Sequence, residues 1–329
     1  MKQLYFILFV FANQFYVFSD NIGNMQKLVL DTAIKTNLGF YLFSPPNVSL
    51  EKELPLVFVL HGCSQSVVAI SKQSGWNDLA AKYGFFVLYV EQKRVNNMMG
   101  CFNWFLRHHA TKDRGELGAM KMVLEDILKQ RNVDEERVFV YGLSAGAMMS
   151  ASLMVCYPET FTMGAILAGG PYMISNEKSL TPAALNNSSK FSDEELLTFV
   201  KNQNPDYQGT FPKLLVFHGL NDRVVNIKNA DALIRQWSLL HARDSVIVEV
   251  QEGFENHPDI SRVTYFNEKQ SAFAIFYKVK NLGHKLMVYP GDGEKMGGQS
   301  GLFSIDKSFF STYYIARDFG LIDDKSVDN

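Results

Sequence analysis

The sequence predicts an α/β fold: a mostly parallel, eight-stranded sheet with helices on both faces and a small insertion near residues 175–208. Three observations predict it. Runs such as Pro55–Leu60 and Phe85–Val90 are continuously apolar, which is the pattern of strands covered on both faces rather than one. Such runs alternate with segments of helical period, for example 116–131, where Leu117, Met120, Val123, Leu124, Ile127 and Leu128 fall on one stripe. No repeat, low-complexity run or Pro/Ser linker divides the chain, so residues 20–329 read as a single domain.

The first 19 residues differ from the rest. Lys2, an apolar stretch broken only by Asn13 and Gln14, and Val17-Phe18-Ser19 before Asp20 match a secretory signal cleaved near Ser19. A membrane anchor is the competing reading, but the run is shorter than the ~20 residues needed to span a bilayer. A secreted or periplasmic location follows as the expectation. With 329 residues, 47% of them apolar, the remaining chain has enough material for a large core. The net charge of −2 provides no basic field for nucleic acid or anionic membrane, so the expected partner is a small or neutral molecule.

In order, 27–32 and 38–44 read as a hairpin, Pro55–Leu60 as a strand leading into His61-Gly62-Cys63-Ser64-Gln65, Trp76–Tyr83 as a helix and Phe85–Val90 as a strand. The loop 91–114 is long enough to suggest a functional role. After the 116–131 helix come a strand at Val138–Tyr141, a small-residue helix from Ala145, and a strand at 164–170. The polar stretch 175–208, with a helix at Asp193–Lys201, interrupts the alternation as a possible cap. Strand Lys213–Phe217, helix Asn229–Leu240 and strands Val263–Phe266 and Phe273–Val279 resume it.

The strand and helix around Gly142-Leu143-Ser144-Ala145-Gly146 make that pentapeptide a candidate nucleophile elbow. Its small residues let the chain double back and expose the Ser144 hydroxyl. The partners of such a serine follow in the order acid, then histidine, each just past a later strand. Asp222 follows Lys213–Phe217 and His284 follows Phe273–Val279, so these are the candidates. Serine is a poor nucleophile at neutral pH; His284 would take its proton and Asp222 would orient the imidazole and stabilise its cation. Each residue alone has a bland reading as turn, cap or loop closure, but the ordered set argues against coincidence. His218 lies too early in the order to be the base, and Asp231 is a weaker alternative acid. His108, His109, His241 and His257 read as solvated.

The backbone N–H groups of Cys63 and Ala145 are the expected oxyanion donors. Trp104, Asn103 and Gln65 are the expected substrate contacts, and Trp76 and Trp237 read as packing. Of three cysteines, Cys63 and Cys101 sit in loops and are the preferred pair, with Cys156 a buried thiol; three unpaired thiols are the alternative. No C-x-x-C or H-x-x-x-H spacing suggests a metal site.

These residues resemble the polyhydroxybutyrate depolymerase family of secreted esterases, relatives of feruloyl and acetylxylan esterases among the α/β-hydrolases. The resemblance rests on LVFVLHGCSQ (56–65), GCFNWF (100–105), NVDEERVFVYGLSAGAMMSA (132–151), VCYPETF (155–161), VFHGLNDRVVN (216–226), NLGH (281–284) and YIARDFGL (314–321). It implies an α/β-hydrolase fold and carboxyl-ester hydrolysis without a cofactor, through Ser144, Asp222 and His284 with the Cys63 and Ala145 amides. Many relatives carry His-Ala-Trp where this chain has His284-Lys285-Leu286; Val288-Tyr289-Pro290-Gly291 looks like the branch with a VDPG-type loop. Polymer-degrading members usually add a linker and a binding domain, so short-chain esters or soluble hydroxybutyrate oligomers are the expected substrates. Feruloyl or acetylxylan esters, acyl transfer to another alcohol, and a catalytically silent binding protein are the rivals.

Overall fold

A computed structural model describes residues 24–28, 36–46, 48–49, 51–175, 177, 181–242 and 244–322. The expected signal segment 1–19 lies outside them. The main sheet holds β1 (Gln26–Leu28), β2 (Gly39–Phe43), β3 (Leu54–Leu60), β4 (Phe86–Glu91), β5 (Val133–Leu143), β6 (Met163–Leu167), β7 (Lys213–Gly219), β8 (Ile247–Glu252), β9 (Ile260–Phe266) and β10 (Ala272–Val279). Their spatial order is β1-β2-β4-β3-β5-β6-β7-β10-β9-β8. The six central strands, β4 to β10 in that order, run parallel, and an antiparallel pair extends each edge.

The sheet thus has ten strands, not the expected eight. Strand β8 pairs only with β9 and exposes all six of its residues, so no buried apolar run marks it in the sequence. The expected first strand is seen as Gln26–Leu28, with 29–32 outside the described residues. Strand β6 stops at Leu167, short of Gly170, because Ala168 adopts φ 49°.

Both faces of the sheet are covered, and the two-residue strand period sorts the side chains between them. Leu56, Phe58 and Leu60 of β3 join one core with α3 (Gly115–Gln130), α4 (Ala145–Cys156) and α7 (Lys228–His241). Val57 and Val59 join the other, with α1 (Val67–Ser74), α2 (Trp76–Tyr83) and α8 (Ser311–Asp318). Helix α1 is started by the Ser66 hydroxyl, which accepts from the Ala69 amide, and α1 and α2 each end at a left-handed glycine, Gly75 and Gly84. The insertion holds α5 (Thr181–Asn186) and α6 (Asp193–Lys201). The latter begins with a Ser192/Glu195 capping box and is tied to α7 by Arg235 on Asp193. A two-stranded ribbon, β11 (Leu286–Val288) and β12 (Ser304–Asp306), follows β10.

Trp76 and Trp237 are fully buried, as is Cys156, which is a free thiol. Two histidines expected to be solvated are not. His241 stacks on Phe273 at 5.2 Å and burial pushes it down to about 4, while His109 is half-buried against Glu116. Among the described residues no helix is long and apolar enough to cross a membrane.

Candidate active site

The turn between β5 and α4 is sharp because the sequence places glycine where nothing larger fits. A Cβ on Gly142 would lie 2.3 Å from the Gly146 carbonyl oxygen, and one on Gly146 would lie 2.4 Å from that of Leu60. The chain reverses at Ser144, which takes φ 57° and ψ −118°, a conformation costly for a residue with a side chain. Its amide donates to the Leu167 carbonyl, anchoring the strained residue to the next strand. The hydroxyl is thereby lifted above the carboxyl edge of the central strands.

His284 reaches this hydroxyl from the end of β10, and Asp222 reaches His284 from the end of β7, the neighbouring strand in the sheet. Gly219 lets the two loops meet: a Cβ there would lie 2.2 Å from the Leu282 carbonyl oxygen. Leu220 and Asn221 donate their amides to Val279 and Leu282, and the Asn281 amide donates to the Asn221 side chain. His284 Nδ1 lies 2.7 Å from Asp222 Oδ2, and His284 Nε2 lies 2.8 Å from Ser144 Oγ. A carboxylate only accepts, so Nδ1 carries the proton and Nε2 is left to accept from the Ser144 hydroxyl. Asp222 Oδ1 accepts from the amides of Val224 and Val225 at 2.8 and 2.9 Å. Burial alone would push the Asp222 carboxyl up; the His284 hydrogen bond and charge, with these two amides, hold it below its ordinary value.

The loop after β3 faces the serine from the other side. Gly62 keeps this approach close: a Cβ there would sit 3.3 Å from Ser144 Cβ, tighter than an ordinary contact. The Ser64 amide donates to Met99 and the Gln65 amide to Gly62, while the Cys63 amide has no acceptor among the described residues. Ala145 opens α4, so its amide has no intrahelical partner either. A disulfide joins Cys63 to Cys101. His61, fully buried, donates from Nδ1 to the Gly62 carbonyl at 2.7 Å and accepts the Gln92 amide on Nε2 at 3.0 Å; burial lowers its pKa, which keeps this neutral tautomer.

A cavity of about 340 Å³ opens on Ser144. The Cys63–Cys101 disulfide, Ser64, Trp104, Phe105, Met148 and Leu185 wall it, with Met99, Val224, Val225, Thr181 and Phe303 around them; Ala145 and His284 also line it. Trp104, expected as a substrate contact, is one of the cavity walls. Asn103 and Gln65 do not line the cavity. Asn103 spends its polar atoms on Glu116 and Asn97, and Gln65 accepts the Gly62 amide and donates to Gln73. Both are buried braces for the walls.

Glu116 was not anticipated. Its buried carboxylate accepts from Gln92 Nε2, the Asn103 amide and Asn103 Nδ2 at 2.6, 2.8 and 2.5 Å, fixing the long 91–114 loop from inside. Burial raises its pKa, with these hydrogen bonds opposing. Phe303 and Leu185 were also missed, since each comes from a distant segment with no local signal; Val224 and Val225 lie two and three residues after Asp222 and were open to inference. His218 is buried beside Asp222 at 3.6 Å and donates Nε2–H to the Val225 carbonyl, and burial lowers its pKa. Asp231 pairs with Lys278 on the surface, away from the serine. Among the described residues, no group of three or more His, Cys, Asp or Glu side chains is arranged to hold a metal ion.

The sheet order and the elbow define an α/β-hydrolase. The solved structure of an acetyl xylan esterase from Aspergillus awamori has the same fold, with a TM-score of 0.69 at 19% identity over 80% of this chain and 94% of that one. Thermogutta terrifontis esterase 2, phosphorylated by paraoxon, gives 0.53 at 12% identity over 91% and 94%. The model of the family described as Esterase PHB depolymerase matches residues 38–247, and the chain belongs to that family. It is a carboxylic ester hydrolase by that membership. A poly(3-hydroxyalkanoate) depolymerase C from Paucimonas lemoignei is 30% identical over 317 residues, 93% of this chain and 69% of the relative. Feruloyl esterase B from Neurospora crassa is 31% identical over 222 residues (66% and 74%), and acetylxylan esterase A from Aspergillus oryzae 25% over 284 (84% and 89%).

Proposed function

We propose that this chain is an exported serine esterase that cleaves short-chain carboxyl esters or hydroxybutyrate oligomers through an acyl-enzyme. The observation that carries the reading is the hydrogen-bonded line Ser144 Oγ, His284 Nε2, His284 Nδ1, Asp222 Oδ2 opening on an apolar cavity. In the first half-reaction Ser144 Oγ attacks the ester carbonyl while its proton passes to His284 Nε2. The carbonyl oxygen becomes an oxyanion held by the Cys63 and Ala145 amides, which are free to donate. The carbonyl reforms, the ester C–O bond breaks, and the imidazolium returns the proton to the leaving alcohol. Water then repeats the sequence on the acyl-enzyme, releasing acid and restoring Ser144. Asp222 stabilises the imidazolium in both halves, and its lowered pKa keeps it ionised while it does so.

Export rests on the sequence of residues 1–19, with 20–329 as the catalytic domain and the 175–208 insertion as one rim of the site, where Thr181 and Leu185 line the cavity. The apolar walls suit a short acyl chain. The relatives named above widen the candidate esters to feruloyl and acetylated-sugar esters. Expressed without residues 1–19 and assayed on p-nitrophenyl butyrate, Ser144→Ala is expected to lower kcat by a factor on the order of 10⁵ or more. Turnover at the wild-type rate would overturn the mechanism.

A further inference from the structure

The cavity at Ser144 has a neighbour. A second cavity, of about 620 Å³, shares Thr181, Leu185 and Val224 with the first and continues past them to Pro182, Asn186, Asp222, Arg223 and Asn226. The two differ in chemistry: the first is walled by the disulfide, Trp104, Phe105 and Met148, whereas the second sets the polar side chains of Thr181, Asn186 and Asn226 and the Arg223 guanidinium beside Pro182, Leu185, Val224 and the shielded Asp222.

That guanidinium is unspent. Arg223 is exposed and has neither an ion pair nor a hydrogen bond among the described residues. The nearest carboxylate in sequence, Asp222, lines the same cavity but forms no ion pair with it. Both Asp222 oxygens are committed, to His284 and to the Val224 and Val225 amides, and the side chain is fully shielded from solvent. The opposite wall is held in place: the Leu185 carbonyl accepts both the Asn226 amide at 2.9 Å and Asn229 Nδ2 at 2.7 Å, which fixes α5 against α7. The result is a preformed chamber of mixed polarity in which one guanidinium has no ion-pair partner among the described residues, joined through Val224 to the apolar chamber where the ester would be cleaved.

We propose that the second cavity is an anion-accepting subsite and that Arg223 selects esters whose far end carries a carboxylate, as the free end of a hydroxy-acid oligomer does. This rests on the reading of Ser144 as the reacting group, because the subsite's meaning depends on where the scissile ester sits. An acyl unit fills the first cavity, the chain passes Val224, and the terminal carboxylate meets the guanidinium. Arg offers two parallel N–H donors to the two carboxylate oxygens, a match that a neutral methyl ester lacks.

The test compares 3-hydroxybutyrate trimer as the free acid and as its methyl ester, each competing with p-nitrophenyl acetate, in the wild type and in Arg223→Gln and Arg223→Lys. The ratio of the two inhibition constants reads the subsite and cancels any change in the basal rate. The wild type is expected to favour the acid about tenfold, which corresponds to about 1.4 kcal/mol. Arg223→Gln should bring the ratio near one, and Arg223→Lys should retain a preference of several-fold. A wild-type ratio of one, or the same preference in Arg223→Gln, would overturn the subsite. Absence of p-nitrophenyl acetate turnover in the wild type would instead overturn the Ser144 reading.

Discussion

Two buried carboxylates flank the site, Glu116 behind the 91–114 loop and Asp222 beyond β7, and each accepts three hydrogen bonds. Their pKa values nonetheless move in opposite directions, Glu116 up and Asp222 down. Burial raises both, so the partners decide the outcome. Glu116 receives its bonds from an amide backbone and two amide side chains, all neutral, and nearby His109 is itself pushed toward neutrality by burial and by His108. Asp222 receives one of its three from an imidazole that becomes cationic when it takes a proton. Equal numbers of hydrogen bonds therefore serve different ends. The neutral set holds a wall in place; in the proposed mechanism the set that includes His284 stabilises a transient charge.

The comparison is broken most forcefully on the Asp222 side. Asp222→Asn keeps the volume but makes His284 donate to nothing ionised and favours the wrong tautomer, so kcat on nitrophenyl esters should fall about 10⁴-fold. A fall of tenfold or less would mean that the charge at this position is not what the chemistry uses. On the Glu116 side the expected losses are of stability. The disulfide closes a loop with a sequence separation of 38 and, with Glu116, holds the wall that includes Trp104. Replacing Cys63 and Cys101 together by Ser should cost about 3–4 kcal/mol in denaturant unfolding. Restoration of full stability in that double variant would show that Glu116 alone suffices.

The smallest effect tests the opposing shifts themselves. Glu116 has a raised folded pKa, so its contribution is fully present below its unfolded value of about 4.3 and is lost as pH rises through the folded value. Asp222 has a lowered one, so its contribution is present above its unfolded value of about 3.9 and is lost as pH falls through the folded value. Subtracting the unfolding free energy of Glu116→Gln from that of the wild type should give a difference that shrinks with rising pH. The same subtraction with Asp222→Asn should shrink with falling pH. Two slopes of the same sign would remove the distinction.

The parts of this arrangement that were legible in the sequence are those with a local signature. Buried parallel strands are continuous apolar runs, so β3, β4 and β7 were placed almost to the residue, and a strand-turn-helix with glycines marked Ser144. Asp222 and His284 were legible because this architecture presents side chains at strand ends in a set order, and the structure brings both within hydrogen-bond reach of that line. Strand β8 was not, because an exposed edge strand has no buried face to pattern it. Neither was Glu116, which reads as an ordinary acidic first-turn residue of α3; only tertiary packing buries it. Gln65 and Asn103 were misassigned for the same reason. A polar side chain in a loop next to the site looks available until its partners across the fold are seen.

In the proposed mechanism Ser144 forms the covalent bond to the acyl group. The most direct measurement treats the protein with a fluorophosphonate and maps the modified peptide by mass spectrometry while following ester turnover. One adduct per chain is expected, on Ser144, with activity lost in proportion to labelling and no adduct in Ser144→Ala. Full turnover by protein labelled at Ser144, or an adduct on another residue that tracks the loss, would contradict it.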